Sequence, residues 1–208
     1  MVDKVEVDMR RSGVFICIEG IDGSGKTTHA CLLVEKLCEM GYDAIYTTEP
    51  SHGEIGSFIR KHILHGEKRL SVILEALLFA ADRIDHLEKE VKPALENGKI
   101  VICDRYLYSS LAYQGAAGLD IKWIEDINKW AIRPDLAILI DVSPEIVMGR
   151  LKKEKSLMET LENQRKVRAI YMKLIRKYSL KVVDGNRPVE DVSKDILSIV
   201  KEFVGKSD

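Results

Sequence analysis

The chain has 208 residues, 46% apolar and 31% charged, with a formal net charge of −1. That length and apolar content support one substantial core, read as a single domain, and the near-neutral balance excludes a broadly basic nucleic-acid surface. No apolar run approaches membrane length. The N-terminus, with Asp3, Glu6 and Asp8 among valines, lacks the basic start and apolar centre of a secretory signal, so a cytoplasmic protein is expected. Cys17, Cys31, Cys38 and Cys103 form no Cys-x-x-Cys pair, and buried free thiols are expected rather than zinc ligands or disulfides. Glutamine occurs only at Gln114 and Gln164 while Lys, Glu, Arg and Ile are abundant, a bias seen in proteins from hot environments.

The apolar run Val14 to Glu19 predicts a buried strand. Gly20-Ile21-Asp22-Gly23-Ser24-Gly25-Lys26-Thr27 follows, then a helix near Thr28–Met40 stopped by Gly41. Ala44 to Thr48 predicts the second strand, and helical patterns follow at Glu54–His65 and Ser71–Asn97, the latter kinked or divided by Pro93 and closed by Gly98. Ile100 to Asp104 predicts the third strand, Asp120–Ile132 a helix and Leu136 to Asp141 the fourth strand. Ser143 caps before Pro144, opening a helix over Pro144–Lys153. Glu162–Ser179, a fifth strand Leu180 to Asp184 and a helix over Pro188–Val204 complete the chain. Such alternation implies an α/β fold, a five-stranded parallel sheet with helices on both faces, with ligands at the carboxyl ends of the strands.

The residues after the strands carry the chemistry. Gly20 to Thr27 is a complete Gly-x-x-x-x-Gly-Lys-Thr phosphate loop, whose glycines turn backbone N–H groups toward phosphate oxygens. Lys26 is expected to reach the outer phosphates of a nucleoside triphosphate and Thr27 to hold Mg²⁺. Asp104, ending an apolar strand, has the form of the acid that supports the metal and its waters. Arg105 beside it offers a fork that grips an acceptor phosphate and stabilises the transferring charge. Phe79 and Arg83 lie one helical turn apart on one face, suited to stacking on a base and donating to its edge.

With Leu78-Phe79-Ala80-Ala81-Asp82-Arg83, Asp104-Arg105-Tyr106 and Ser109 to Gly115, the phosphate loop resembles thymidylate kinase from Val14 to the last helix. The resemblance implies a P-loop nucleoside monophosphate kinase-like fold that uses ATP and Mg²⁺ to convert dTMP to dTDP. It implies that Asp22 contacts the deoxyribose 3′-hydroxyl, Phe79 stacks on thymine and Arg83 hydrogen-bonds it. It further implies that Arg105 grips the acceptor phosphate, Tyr113 crowds the sugar 2′ position and Gln114 lies beside the base, while Asp184 to Pro188 forms the adenine-side loop. Family members are homodimers, and the helix bearing Ile73, Leu74, Leu77 and Leu78 is the expected contact.

Two departures stand out. Thr48 occupies the place of an arginine in the family's Thr-Arg-Glu-Pro-Gly-Gly segment, and Arg60 is the candidate substitute. Gly23 and Ser24 carry no charge, so a lid at about 150–163 must supply the catalytic cation from among Arg150, Lys152, Lys153 and Lys155. Arg165 and Arg168 are expected to make structural pairs. The alternatives are a kinase for another pyrimidine nucleotide or deoxynucleoside, and a P-loop switch or ATPase; no guanine-reading Asn-Lys-x-Asp segment is evident.

Overall fold

The computed structural model describes residues 13–64, 70–150 and 160–205. In chain order the elements are β1 (Val14–Glu19), α1 (Lys26–Glu39), β2 (Ala44–Thr48), α2 (Glu54–Ile59), α3 (Val72–His86), α4 (Lys92–Glu96), β3 (Ile100–Asp104), α5 (Leu107–Ala116), α6 (Ile121–Ile127), β4 (Leu136–Asp141), α7 (Pro144–Arg150), α8 (Leu161–Tyr178), β5 (Lys181–Asp184) and α9 (Val189–Val204). The strands form one parallel sheet in the order β2-β3-β1-β4-β5. Its centre is the core: β3 is buried throughout and β1 at every residue after Val14, as strands covered on both faces must be.

The helices bury the faces that their periodicity marks. α9 buries Val192, Ile196, Val200 and Val204, one side chain per turn, and packs beside α1. α5 packs against α3, α6 and α8. The stretch from Ser71 to Asn97 is divided as Pro93 requires: a wider i→i+5 turn at Leu87–Val91 separates α3 from α4. A proline offers no N–H to the carbonyl four residues back, and its ring collides with that carbonyl. Gly41 and Gly98, at φ 90° and 77°, end their helices as expected.

Three expectations are corrected. α5 was absent from the predicted helices, because Leu107, Tyr108, Ser109, Ser110, Leu111, Ala112 and Gln114 are all buried and leave no polar face to reveal a period. α6 stops at Ile127 rather than Ile132, where Asn128 turns its side-chain amide back onto Ile124 O at 2.8 Å. All four cysteines are free, but only Cys17 and Cys103 are buried; Cys31 and Cys38 lie on the exposed side of α1.

Candidate active site

Register assembles the site. Asp104 pairs with Ile18 on one side and Thr48 on the other, and the ladder runs one residue further. Glu49 N donates to Asp104 O at 3.1 Å and Arg105 N to Ile18 O at 3.0 Å. Glu19, Glu49 and Arg105 are thereby delivered together to the carboxyl end of the sheet.

The loop after β1 turns on Gly20, Gly23 and Gly25, at φ 152°, 74° and 91°. A Cβ on Gly20 would stand 2.7 Å from Ile140 O, so this position tolerates only glycine. Lys26 is buried, and its Nζ donates to Ile21 O at 2.7 Å inside the same loop. Burial, followed by the Arg105 charge, lowers its pKa to about 8. The Thr27 hydroxyl donates to Asp104 Oδ2, with the Tyr46 hydroxyl 3.4 Å from the same oxygen. Asp104 Oδ1 and Ser24 Oγ are buried with no hydrogen-bond partner among the described residues.

That orphaned carboxylate oxygen beside an exposed threonine suits Mg²⁺. Among the described residues no group of three or more His, Cys, Asp or Glu could hold a metal unaided. The ion's remaining ligands would therefore have to be phosphate oxygens and water.

Arg105 takes a left-handed conformation at φ 71°, uncommon for a residue with a side chain. Glu19 holds the adjoining backbone: Oε1 accepts from Tyr106 N at 3.0 Å and Ser109 N at 3.2 Å, and Oε2 from the Ser109 and Tyr171 hydroxyls at 2.6 and 2.8 Å. Burial raises the Glu19 pKa despite these bonds. So held, Arg105 points back across the phosphate loop. Its Nη2 donates to Asp22 Oδ1 and, at 3.5 Å, to the Tyr113 hydroxyl, and its guanidinium lies 5.1 Å from the Tyr113 ring centroid. Asp22 Oδ2 also accepts from Gln164 Nε2 at 3.1 Å. Burial pushes the Asp22 carboxyl up, but the charges of Arg105 and Lys26, aided by that amide, hold it below its ordinary value.

A second cluster surrounds Arg83, which is 1% exposed. Nε and Nη2 donate to Glu49 Oε2 at 2.9 and 2.6 Å, Nη2 also to Ser110 Oγ at 3.0 Å, and Nη1 to Asn128 Oδ1. Of the guanidinium's five N–H groups, one on Nη1 is left over among the described residues. His86 bonds Thr47 Oγ1 at 2.7 Å and lies 3.4 Å from Glu49 Oε1. Asp82, buried behind Arg83, takes the Ser51 amide and hydroxyl at 2.7 and 2.6 Å and fixes the turn after β2. Phe79, one turn before Arg83, is half-buried, and Gln114 is buried with Oε1 unpartnered among the described residues.

A family model for thymidylate kinase matches residues 18–196. The chain belongs to the thymidylate kinase family. It is 49% identical over 202 residues to a probable thymidylate kinase of Pyrococcus abyssi, covering 93% of this chain and 98% of the relative. A probable thymidylate kinase of Pyrococcus horikoshii is 47% identical over the same shares. A thymidylate kinase of Symbiobacterium thermophilum is 43% identical over 203 residues, 92% of this chain and 94% of the relative. The chain is accordingly a nucleoside monophosphate kinase, a phosphotransferase.

The departures from the family pattern take physical form in this kinase. Thr48 donates its hydroxyl to Asp104 O at 3.0 Å and so braces β3. Arg60, just past α2, donates from Nη2 to Pro50 O, and its Nε is buried with no partner among the described residues. Arg168 forms a two-bond pair with Asp141 at 2.6 and 2.8 Å, and Arg165 pairs with Glu145. Of the anticipated lid, Lys152, Lys153, Lys155 and the Arg150 side chain lie outside the described residues. Thr160 and residues 161–163 belong to the capped first turn of α8.

Sequence reasoning assigned no role to Glu19, Glu49, Asn128, Gln164 or Tyr171. Glu19 and Glu49 carried one available signal, a charged residue ending or directly following an apolar strand. Asn128, Gln164 and Tyr171 act across long chain separations and carried none.

Proposed function

We propose that this kinase converts dTMP to dTDP with ATP as donor, on the following division of labour. The observation that carries the reading is Arg105 bridging Asp22 of the phosphate loop and Tyr113 of α5, at the seam between a donor and an acceptor nucleotide. An oxygen of the dTMP phosphate attacks the γ-phosphorus of ATP as the bond to the β-phosphate oxygen breaks, releasing ADP, so no covalent enzyme intermediate is needed.

The loop from Gly20 to Thr27 cradles the ATP phosphates, and Lys26 leaves Ile21 O to reach the outer ones. Arg105 grips the acceptor phosphate and neutralises charge spread over the transferring group. Thr27 and Asp104 would hold Mg²⁺, which when bound shields the charge of the donor phosphates. Asp22 receives the 3′-hydroxyl, Tyr113 crowds the 2′ position, Phe79 stacks on the base, and the spare Nη1 hydrogen of Arg83 meets the base edge. Gln114 Oε1, buried and unpartnered among the described residues, suits a ring N–H. Arg60, whose buried Nε has no partner among the described residues, is the candidate replacement for the arginine displaced by Thr48.

The same reading takes the whole chain as one kinase domain, with the lid cation drawn from Arg150, Lys152, Lys153 or Lys155. It assigns no nucleic-acid partner and a cytoplasmic location. No helix of the described residues is long and apolar enough to cross a membrane. A homodimer through α3 is supported by Ile73, Leu74 and Leu77, each 44% or more exposed. Light scattering should return twice the mass of the chain.

A coupled assay with ATP and dTMP, dUMP, dCMP or thymidine tests the reaction. Highest kcat/KM with dTMP is expected. Preference for thymidine, or ATP hydrolysis indifferent to every acceptor, would sink the reading.

A further inference from the structure

α8 turns a polar stripe toward the site. Its buried positions are Gln164, Val167, Tyr171 and Leu174, spaced to share one helix face. Two of these four carry polar groups, and both reach the seam between donor and acceptor. Tyr171 donates to Glu19, which holds the backbone beside Arg105. Gln164, fully buried, donates from Nε2 to Asp22 Oδ2 at 3.1 Å across 142 positions of chain.

Burying a primary amide completely is costly without a partner, and one partner here is the carboxylate expected to meet the acceptor sugar. Arg105 draws Asp22 by Oδ1. Gln164 draws it by Oδ2, so the carboxylate is held from opposite oxygens and cannot swing toward the guanidinium to make a two-bond pair. A carboxylate oxygen has more than one lone pair, so Oδ2 can take the amide and a hydroxyl together. The Asp22 plane is thus set before any nucleotide arrives.

We infer that Gln164 is a positioning residue for acceptor recognition: its amide aims the Asp22 carboxylate at the 3′-hydroxyl of the incoming deoxynucleotide. The inference rests on the reading of Asp22 as the sugar contact. A positioned group loses much of its effect when released by as little as 1 Å, and the loss falls only on substrates bearing the hydroxyl it contacts.

The test is kinetic, on the full chain, with dTMP and 2′,3′-dideoxythymidine monophosphate as paired acceptors. Gln164→Met keeps length and apolar packing while deleting the donor. It should lower kcat/KM for dTMP roughly tenfold, the scale of a hydrogen bond to a charged group, mainly through KM, with KM for ATP unchanged. The dideoxy acceptor should show no such loss. Gln164→Glu, of the same shape but facing Asp22 with an acceptor, should give the same acceptor-selective loss at neutral pH.

Equal losses on both acceptors, or no loss on either, would overturn the inference, since a structural role would affect both alike. Asp22→Asn separates the two layers. If Asp22→Asn also treats the acceptors alike, the sugar-contact reading itself fails. If it discriminates between them and both Gln164 variants do not, only the role given to Gln164 falls.

Discussion

In the phosphate loop, two residues leave polar groups in waiting: Lys26 rests on a carbonyl of its own loop, and Ser24 Oγ has no hydrogen-bond partner among the described residues. In the Arg83 cluster, groups from β2, α3, α5 and the turn after α6 already satisfy one another around Glu49. On the proposed reading, one region would gain its interactions when a triphosphate arrives. On the same reading, the other is a wall ordered during folding, with one Arg83 Nη1 hydrogen to spare, against which a base would be read at little further entropic cost. Replacements in the first should therefore be felt in turnover, and replacements in the second in stability.

Arg105, which ties Asp22 of the phosphate loop to Tyr113 of α5, gives the largest effect. Arg105→Ala should lower kcat by about 10³-fold or more, as loss of a transition-state arginine does; a near-normal steady-state rate would break the picture of a shared seam. Next comes Glu49→Ala, which leaves the Arg83 charge buried without its counter-ion. Urea denaturation should show a loss of about 3–5 kcal/mol. Lys26→Met provides the contrast, lowering turnover steeply, though less than Arg105→Ala, without lowering the urea midpoint, because it removes a buried charge whose desolvation outweighs the carboxylates near it.

Proton linkage at Lys26 gives an effect of middle size. Its folded pKa of about 8 lies below the ordinary 10.5, so between these values the unfolded chain binds more protons. This group's contribution to stability should then rise with pH across that window, the penalty of burying a charged lysine being complete below about 8. Binding responds in the opposite sense. In the free enzyme kcat/KM for ATP should fall up to about tenfold per pH unit above about 8 as Lys26 loses its charge, and Lys26→Arg should remove that limb. The smallest expected effect is Gln114→Met: KM for dTMP should rise about fivefold, the scale of one hydrogen bond. Thermal unfolding should hardly move, because the deleted oxygen has no partner among the described residues.

The sheet was legible because its strands are buried on both faces and leave unbroken apolar runs, and four of five predicted strands keep their boundaries to the residue. α5 escaped for the complementary reason. Two serines, a tyrosine and a glutamine buried among its leucines give neither a polar face nor strong helix propensity. The gathering of Lys26, Thr27, Asp104 and Arg105 around one loop was legible because a loop geometry or a strand end prescribes their spacing.

What the sequence by itself determined is the donor loop. Its backbone path follows from glycines that reach left-handed φ and from the strand and helix on either side, all local in the chain. Tertiary structure alone decided how the proposed acceptor side is held: Glu49 on Arg83, Glu19 beneath the backbone next to Arg105, and Gln164 on Asp22. Those groups are buried, and a buried polar side chain must find its partner wherever packing brings one within reach. Parallel register and the stripe of α8 set that reach, and neither is written at any single position of the chain.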